Sequence, residues 1–453
     1  MARPATITLS DLAPLLRSRA PVSATDLAGA LGVNRTTIIR TLPGFGDELV
    51  TMGATRSTRY FLRREIRGTG NRWPVYRVGG AGRASEWMRL EALHDRSWRA
   101  VWAGNQPEWA DHFSNRDGLW SGFPFFLNDA RPRGFLGRAI ARRVSRFLGV
   151  PDDPQPWSDE DILVYHLSEG WDLPGDQIVG ESAMLRATAK IPNSSGGSAD
   201  RYPDLAAQAS SGLPGTSAGG EQPKFLTRTN TPDHANRAVL VKFSPPLDQQ
   251  TGRRWADLLL AEAHAHEVLA GAGLANPGAR VIDVANRRFL EIPRFDRTAD
   301  GGRRGVISLE ALHSAAVGSH TRGWTEAIED LRQAGLVDDH ARQVTARLQA
   351  FGELIGNTDM HSGNLSFWLD DRLPFRVTPA YDMLPMLWAP GPSGELVERR
   401  FDPAPSRPVP PDAWRDATSW AAAFWNGLAA DNRLSAGFAR VARAAADAVR
   451  KIG

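Results

Sequence analysis

The sequence predicts an α+β protein in three parts. These are a winged helix-turn-helix module over residues 1–80, a β-rich lobe over 81–295 and a mostly helical lobe over 296–453. Three observations predict it. Short helical runs broken by a glycine turn fill 7–42, with β-like runs after them. Strand-like runs flank one long amphipathic helix between 225 and 297. Beyond 297 the apolar periodicity is mostly helical, except for two short runs at 365–369 and 375–378.

In the N-terminal part, ITLSDLAPLLRSR, SATDLAGALG and NRTTIIRTL read as three helices. Ser23 or Thr25 caps the second, Asn34 the third, and Gly32 supplies the turn between them. Leu27, Leu31, Val33, Ile38 and Leu42 fall where a helix-turn-helix buries its contacts. LVTMGATRSTRYFLRRE and WPVYRV follow as the wing. This stretch of 80 residues carries twelve Arg, no Lys and five acids, about +7, whereas the whole chain is +3. A basic module on a mildly acidic body points to a nucleic-acid contact confined to that module. Arg35, Thr36, Thr37 and Arg40 are the expected groove-facing side chains, and Arg56 and Arg59 the expected phosphate contacts of the wing. The bland alternatives are a solvated charged face and a helical hairpin used for protein contacts.

There is no cysteine, which excludes disulfides, thiol catalysis and Cys-based zinc sites and fits a reducing compartment. No window reaches the roughly 18 uninterrupted apolar residues of a membrane span. The opening MARPATITLSDLAPLL has no secretory h-region, so a cytoplasmic location without membrane attachment is expected.

Between 81 and 182, EWMRLEALHDRSWRAVWAG and LGRAIARRVSRFLG read as helices, with SGFPFFLNDARPRGFLGR as an apolar docking loop. FLTRT and RAVLVKFS read as strands, RRWADLLLAEAHAHEVLAGAG as a long helix, and RVIDVANRRFLEIPRFDR as a hairpin leading into a connector.

The chemistry lies along this framework. Gly215-Thr-Ser-Ala-Gly-Gly-Glu-Gln-Pro-Lys224 is a Gly-rich turn before a strand, able to cradle phosphate with backbone N–H groups. Lys242 lies inside the apolar strand AVLVKF, and Glu262 stands twenty residues on in the next helix, the arrangement that orients a phosphate-binding lysine. Asp359 and Asn364 have D-x-x-x-x-N spacing, which places a carboxylate for the attacking hydroxyl and an amide oxygen for Mg²⁺. Asp382 follows eighteen residues later, where a second Mg²⁺ ligand stands in kinases, though without the Phe-Gly that follows it there. Each residue alone has a bland reading: an edge-strand lysine in water, a glutamate on an exposed helix face. Their order is that of a two-lobed protein kinase.

The same residues carry a closer likeness. SAGGEQPK, RFDR, GNTDMHSGNLSF and TPAYDMLPM resemble the HipA family of toxin-antitoxin kinases over about residues 115–420. The fused N-terminal module and the YDMLPMLWAP run resemble its self-contained branch, the YjjJ type. The resemblance implies a HipA-like fold, ATP and Mg²⁺ as cofactors, and Ser/Thr kinase activity on a protein such as a tRNA synthetase or translation factor, with growth arrest as the outcome. It implies Asp359 as catalytic base, Asn364 and Asp382 as Mg²⁺ ligands, and Lys242, Lys224 and the loop residues Ser217, Ala218, Gly219 and Gly220 around the phosphates. His361 and Tyr381 would line the nucleotide site, or His361 would instead be a packed histidine behind it; Pro293, Arg294 and Phe295 would meet adenine through their backbone, and Asp296 would reach the ribose. Thr216 and Ser217 match the family's autophosphorylated hydroxyl, where added charge would disfavour nucleotide. Glu221 and the Thr216-Ser217 pair depart from the best-known loop. The module would bind promoter DNA as a homodimer and autoregulate. Two other readings use the same residues: a nucleotide-gated regulator without catalysis, and a metal-dependent nuclease built on Asp359, His361 and Asp382. His264 and His266 predict no metal site, because i, i+2 spacing puts them on different helix faces.

Overall fold

The computed structural model describes residues 7–115, 117–189, 199–210, 222–231, 234–318, 323–391 and 393–452. Three helices, Leu9–Arg19, Ala24–Leu31 and Arg35–Thr41, open the chain. Ser23 caps the second, accepting the Asp26 N–H at 3.1 Å, and Gly32 takes the left-handed conformation that ends it (φ 66°). Asn34 occupies the N-cap position of the third without a side-chain cap bond. Leu12, Leu16, Leu27, Ile38 and Leu42 close a small core, with Leu31 and Val33 packed on it. The wing is the antiparallel pair Leu49–Met52 and Arg59–Leu62.

WPVYRV is not part of that wing. The strand Arg72–Val78 pairs with Ala84–Ala92 and Gln177–Val179 inside a five-stranded sheet completed by Trp98–Trp102 and Leu119–Trp120. The middle sheet thus begins before residue 80. Within 81–295 it is separate from the four-stranded sheet that carries Lys242.

EWMRLEALHDRSWRAVWAG forms two strands of the middle sheet rather than a helix. Its apolar residues recur in steps of two, Met88, Leu90, Ala92 and then Trp98, Ala100, Trp102. Arg96 takes a left-handed conformation (φ 67°) and the Asp95 carboxylate accepts the Ser97 N–H at 3.0 Å, which turns the chain between them. LGRAIARRVSRFLG is helical, over Gly134–Leu148. The apolar loop does dock: Phe123, Phe125, Phe126 and Leu127 are buried beside Trp87, Trp109 and Trp120. Just beyond them the half-buried Asp129 accepts the N–H and hydroxyl of Ser308 at 2.7 and 2.6 Å, tying this part to the helical lobe.

The N-terminal module is joined to the middle sheet without a slack linker. Val50, Met52 and Phe61 of the wing bury against Leu93, Arg63 pairs with Glu91 at 2.7 Å, and Arg67 pairs with Asp161 at 2.7 Å.

The four-stranded sheet runs Arg280–Val284, Arg287–Pro293, His234–Phe243, Lys224–Thr231. One face packs on the helix Tyr202–Ser210 through Phe225, Phe243 and Phe289. The other meets the helix Gln250–Gly271 through Leu259, Leu290 and Ile292. That helix starts hard against the loop before it. A Cβ on Gly252 would lie 1.9 Å from the Pro246 carbonyl oxygen. Gly252→Ala is therefore expected to cost about 2–3 kcal/mol, read as a lowered midpoint in urea; an unchanged midpoint would contradict this packing.

The third sheet, Val306–Ser308, Ser366–Trp368 and Arg376–Val377, includes a strand at 306–308 that periodicity did not reveal. Helices Asp339–Leu354, Pro411–Ala430 and Ala436–Arg450 build the large lobe around Phe351, Phe424 and Trp425. Among the described residues no helix is long and apolar enough to cross a membrane.

Candidate active site and candidate DNA-binding face

Lys242 lies on an interior strand, paired on one side with Leu290 and on the other with Lys224. An edge lysine would reach water, but this one is 2% exposed. Its ammonium donates to Glu262 Oε1 at 2.6 Å and also to the Asp382 carboxylate. Glu262 is wholly buried, so neither bland reading holds. Three residues up to 140 positions apart thus meet in one buried cluster. Burial alone would strip Lys242 of its proton, but Asp382 and Glu262 outweigh it and hold the ammonium above the ordinary lysine range. Burial likewise raises Asp382, and Lys242 with Lys224 overcomes it, so Asp382 stays ionised well below the usual carboxylate range.

Lys224 stands directly across from Lys242 in the antiparallel register, so the two side chains share a sheet face. Two cations in that position repel unless anions face them. Asp382 and Glu262 supply part of that countercharge, and the arrangement fits phosphate.

Asp382 itself has φ 55°, a conformation costly for most side chains but tolerated by Asp. Asn357 helps to hold it there, its Nδ2 donating to the Asp382 carbonyl at 3.3 Å. The same Asn357 accepts the Asp359 N–H through Oδ1 at 3.0 Å. One buried amide therefore ties the loop carrying Asp359 to the segment carrying Asp382, a role that the motif GNTD contains but spacing did not disclose.

Asp359 is exposed, on a loop between the helix Asp339–Leu354 and the short turn Ser362–Asn364. Asn364 Nδ2 donates to the Asp359 carbonyl at 2.9 Å, so its Nδ2 is turned back into the loop. A cleft of about 660 Å³ opens beside Asp359, bounded by Glu353, Met360, Leu387 and Phe401. His361 is exposed and accepts the Gly363 N–H through Nδ1 at 3.1 Å, so it is not a packed interior histidine. Tyr381 donates to the Gly363 carbonyl at 2.9 Å and lies 2.6 Å from the Ser366 hydroxyl. The Phe295 ring sits 5.8 Å from the Tyr381 ring and 5.6 Å from Trp368, whose indole Arg304 covers at 3.5 Å. Trp368 joins this aromatic cluster unforeseen; its sequence signal was the strand run itself.

Asp296 does not stand ready for a ribose. It is 6% exposed and accepts from Arg294 at 2.9 Å, Arg297 at 2.6 Å and the Gly175 N–H at 2.9 Å. Burial raises its pKa, but Arg294 and Arg297 pull it down to about 2. Both arginines also bond Asp172, so the network fastens the connector to the middle part of the chain. The Arg294 side chain is likewise committed there, and its N–H donates to Ala238 at 3.0 Å.

The Gly-rich loop residues Thr216, Ser217, Ala218, Gly219 and Gly220 lie outside the described residues.

A divalent ion held here would find Asp382 and Asn364 as hard oxygen donors, a sparse set. Among the described residues no group of three or more His, Asp or Glu side chains could hold a metal by itself. Mg²⁺ keeps several waters and takes phosphate oxygens, so it would need few protein ligands. His264 bonds Asp431 at 3.0 Å and His266 bonds the Asn276 carbonyl at 3.2 Å.

On the N-terminal module, Arg35, Thr36, Arg40, Arg56 and Arg59 are exposed, while Thr37 is half-buried. Arg59 lies near Asp26 and donates to the Thr58 carbonyl at 3.1 Å.

Comparison with known proteins agrees with this architecture. The family model described as YjjJ-like toxin, middle domain, matches residues 69–188, and that described as HipA-like C-terminal domain matches 216–449. The chain is 36% identical to Toxin YjjJ of Escherichia coli (strain K12) over 98% of both chains. HipA of Shewanella oneidensis MR-1, solved with HipB and its operator DNA, superposes with a TM-score of 0.54 at 15% identity. That match covers 83% of this chain and 95% of the other, and carries the fold. A winged helix-turn-helix followed by a two-lobed, kinase-like HipA fold, with 36% identity to a YjjJ toxin along nearly the whole chain, places this chain in the YjjJ-like family of HipA-type toxins.

Proposed function

We propose that the chain is a Ser/Thr protein kinase that moves the γ-phosphate of ATP onto a protein hydroxyl and holds itself on promoter DNA through its N-terminal module. The observation that carries the kinase reading is the buried Lys242 ammonium between Glu262 and Asp382, with Asp359 exposed on a loop that Asn357 ties to Asp382.

In this reading Glu262 orients Lys242, and Lys242 and Lys224 receive the phosphates. Phe295, Trp368 and Tyr381 give adenine an aromatic wall. The Pro293 carbonyl and Phe295 N–H make its backbone contacts, because proline has no N–H and that of Arg294 is bonded to Ala238. Asp359 takes the proton of the acceptor hydroxyl as its oxygen bonds phosphorus, and ADP leaves. Asp382 and the Asn364 side-chain oxygen would hold Mg²⁺, which would neutralise phosphate charge. Autophosphorylation at Thr216 or Ser217 would then silence the site, and a tRNA synthetase or translation factor is the substrate class that the family suggests. Incubation with labelled ATP tests the reading. Protein-bound label is expected with Mg²⁺, and none after chelation; label that persists in EDTA would count against Asp382 and Asn364 as ion ligands.

The Shewanella HipA was solved with a separate HipB and operator DNA. Here the fused module would make the DNA contact in cis, with Arg35 and Arg40 toward the groove and Arg56 and Arg59 toward phosphates. Two phosphate contacts per module make about four on a dimer, and affinity should then fall on the order of a hundred-fold between about 50 and about 200 mM salt. Binding indifferent to salt would remove the DNA reading.

A further inference from the structure

The third helix of the N-terminal module, Arg35–Thr41, divides its residues cleanly. Ile38 is fully buried and Leu42, four positions on, is nearly so. Arg35, Thr36, Ile39 and Arg40, on the flank beside that buried edge, are all exposed. Residues 35 and 39, and 36 and 40, are i, i+4 pairs, so the four form two adjoining rows. Thr37, which the sequence placed in this set, is half-buried, and the Thr41 hydroxyl donates to its carbonyl at 2.9 Å. Ile39 takes its place, 40% exposed.

A lone exposed isoleucine is ordinary on a protein surface. This one is framed by two guanidinium groups and the methyl-bearing Thr36. The complementary surface must be anionic along its edges and offer an apolar point between them. A B-DNA major groove does so at thymine, whose 5-methyl is the apolar group among the base edges there. We propose that Ile39 packs on a thymine methyl and sets one position of the sequence that the module reads. Arg35 and Arg40 then serve guanine edges or phosphates on either side, and Thr36 adds its own methyl to the contact. The proposal rests on the DNA reading of the module and owes nothing to the kinase site.

The test uses the full chain and duplexes that it selects from a random-sequence pool. Each thymine of a selected duplex is replaced in turn by deoxyuridine, which removes only the methyl. One thymine per half-site is expected to weaken binding about four-fold on losing its methyl, the equivalent of one buried carbon. In Ile39→Ala that position should lose most of its preference for thymine over deoxyuridine, with only the Thr36 contribution left, and Ile39→Val should retain more of the difference. Methyl sensitivity that persists in full in Ile39→Ala would overturn the proposal. So would its absence at every thymine in the unmodified chain, which would leave Ile39 to a protein contact. If the unmodified chain selects no duplex at all, the DNA reading falls first and the proposal with it, so the two failures are distinguishable.

Discussion

Lys242→Met is expected to destabilise the chain by about 3–5 kcal/mol and to abolish Mg-ATP binding. The ammonium is the counter-charge shared by a wholly buried Glu262 and a partly exposed Asp382. Removing one member of a buried ion cluster leaves the others charged or forces them to protonate, which carries the cost. The double variant Lys242→Met/Glu262→Leu should regain most of that stability, because an apolar pair of similar volume replaces the buried charges. It should not regain nucleotide binding, which needs the cation itself. Urea denaturation and calorimetric titration with Mg-ATP read the two effects separately. Recovery of both in the double variant would mean that Lys242 is structural only.

Asp359→Asn is expected to act in the opposite way. The residue is exposed and outside the buried cluster, so the midpoint in urea should hardly move. Phosphotransfer should fall by roughly 10²–10⁴-fold, the usual worth of a positioned proton acceptor. Mg-ATP affinity should be unchanged, because Lys242 and Asp382 remain in place. A loss of nucleotide affinity equal to the loss of transfer would assign Asp359 to binding instead.

Much of the catalytic lobe is legible in the sequence because its residues are set by local rules. A lysine inside AVLVKF, a glutamate on the following amphipathic helix and D-x-x-x-x-N on a loop can each be placed from period and spacing, and the fold brings Lys242, Glu262 and Asp382 together. The tryptophan-rich stretch 86–104 was misread because its many large apolar residues satisfy a helical pattern as easily as a strand pattern; the turn at Asp95-Arg96 decides it. The buried network around Asp296 was not legible for a different reason. Its counter-ions Arg294 and Arg297 are adjacent, but the Asp172 and Gly175 that complete the network lie more than 120 residues earlier, and only the folded chain joins them. Ile39 was passed over because apolar residues in a short helix read by default as core, and its exposure depends on which side Leu27 and Leu42 bury.

Transfer of labelled γ-phosphate from Mg-ATP, with the acceptor residues identified by mass spectrometry, tests the central claim most directly. Label on serine or threonine of this chain or of a protein in a cell extract, lost in Asp359→Asn, is the predicted result. No protein-bound label from a chain that still binds Mg-ATP would contradict it and make the two-lobed body a nucleotide sensor for the DNA-binding module.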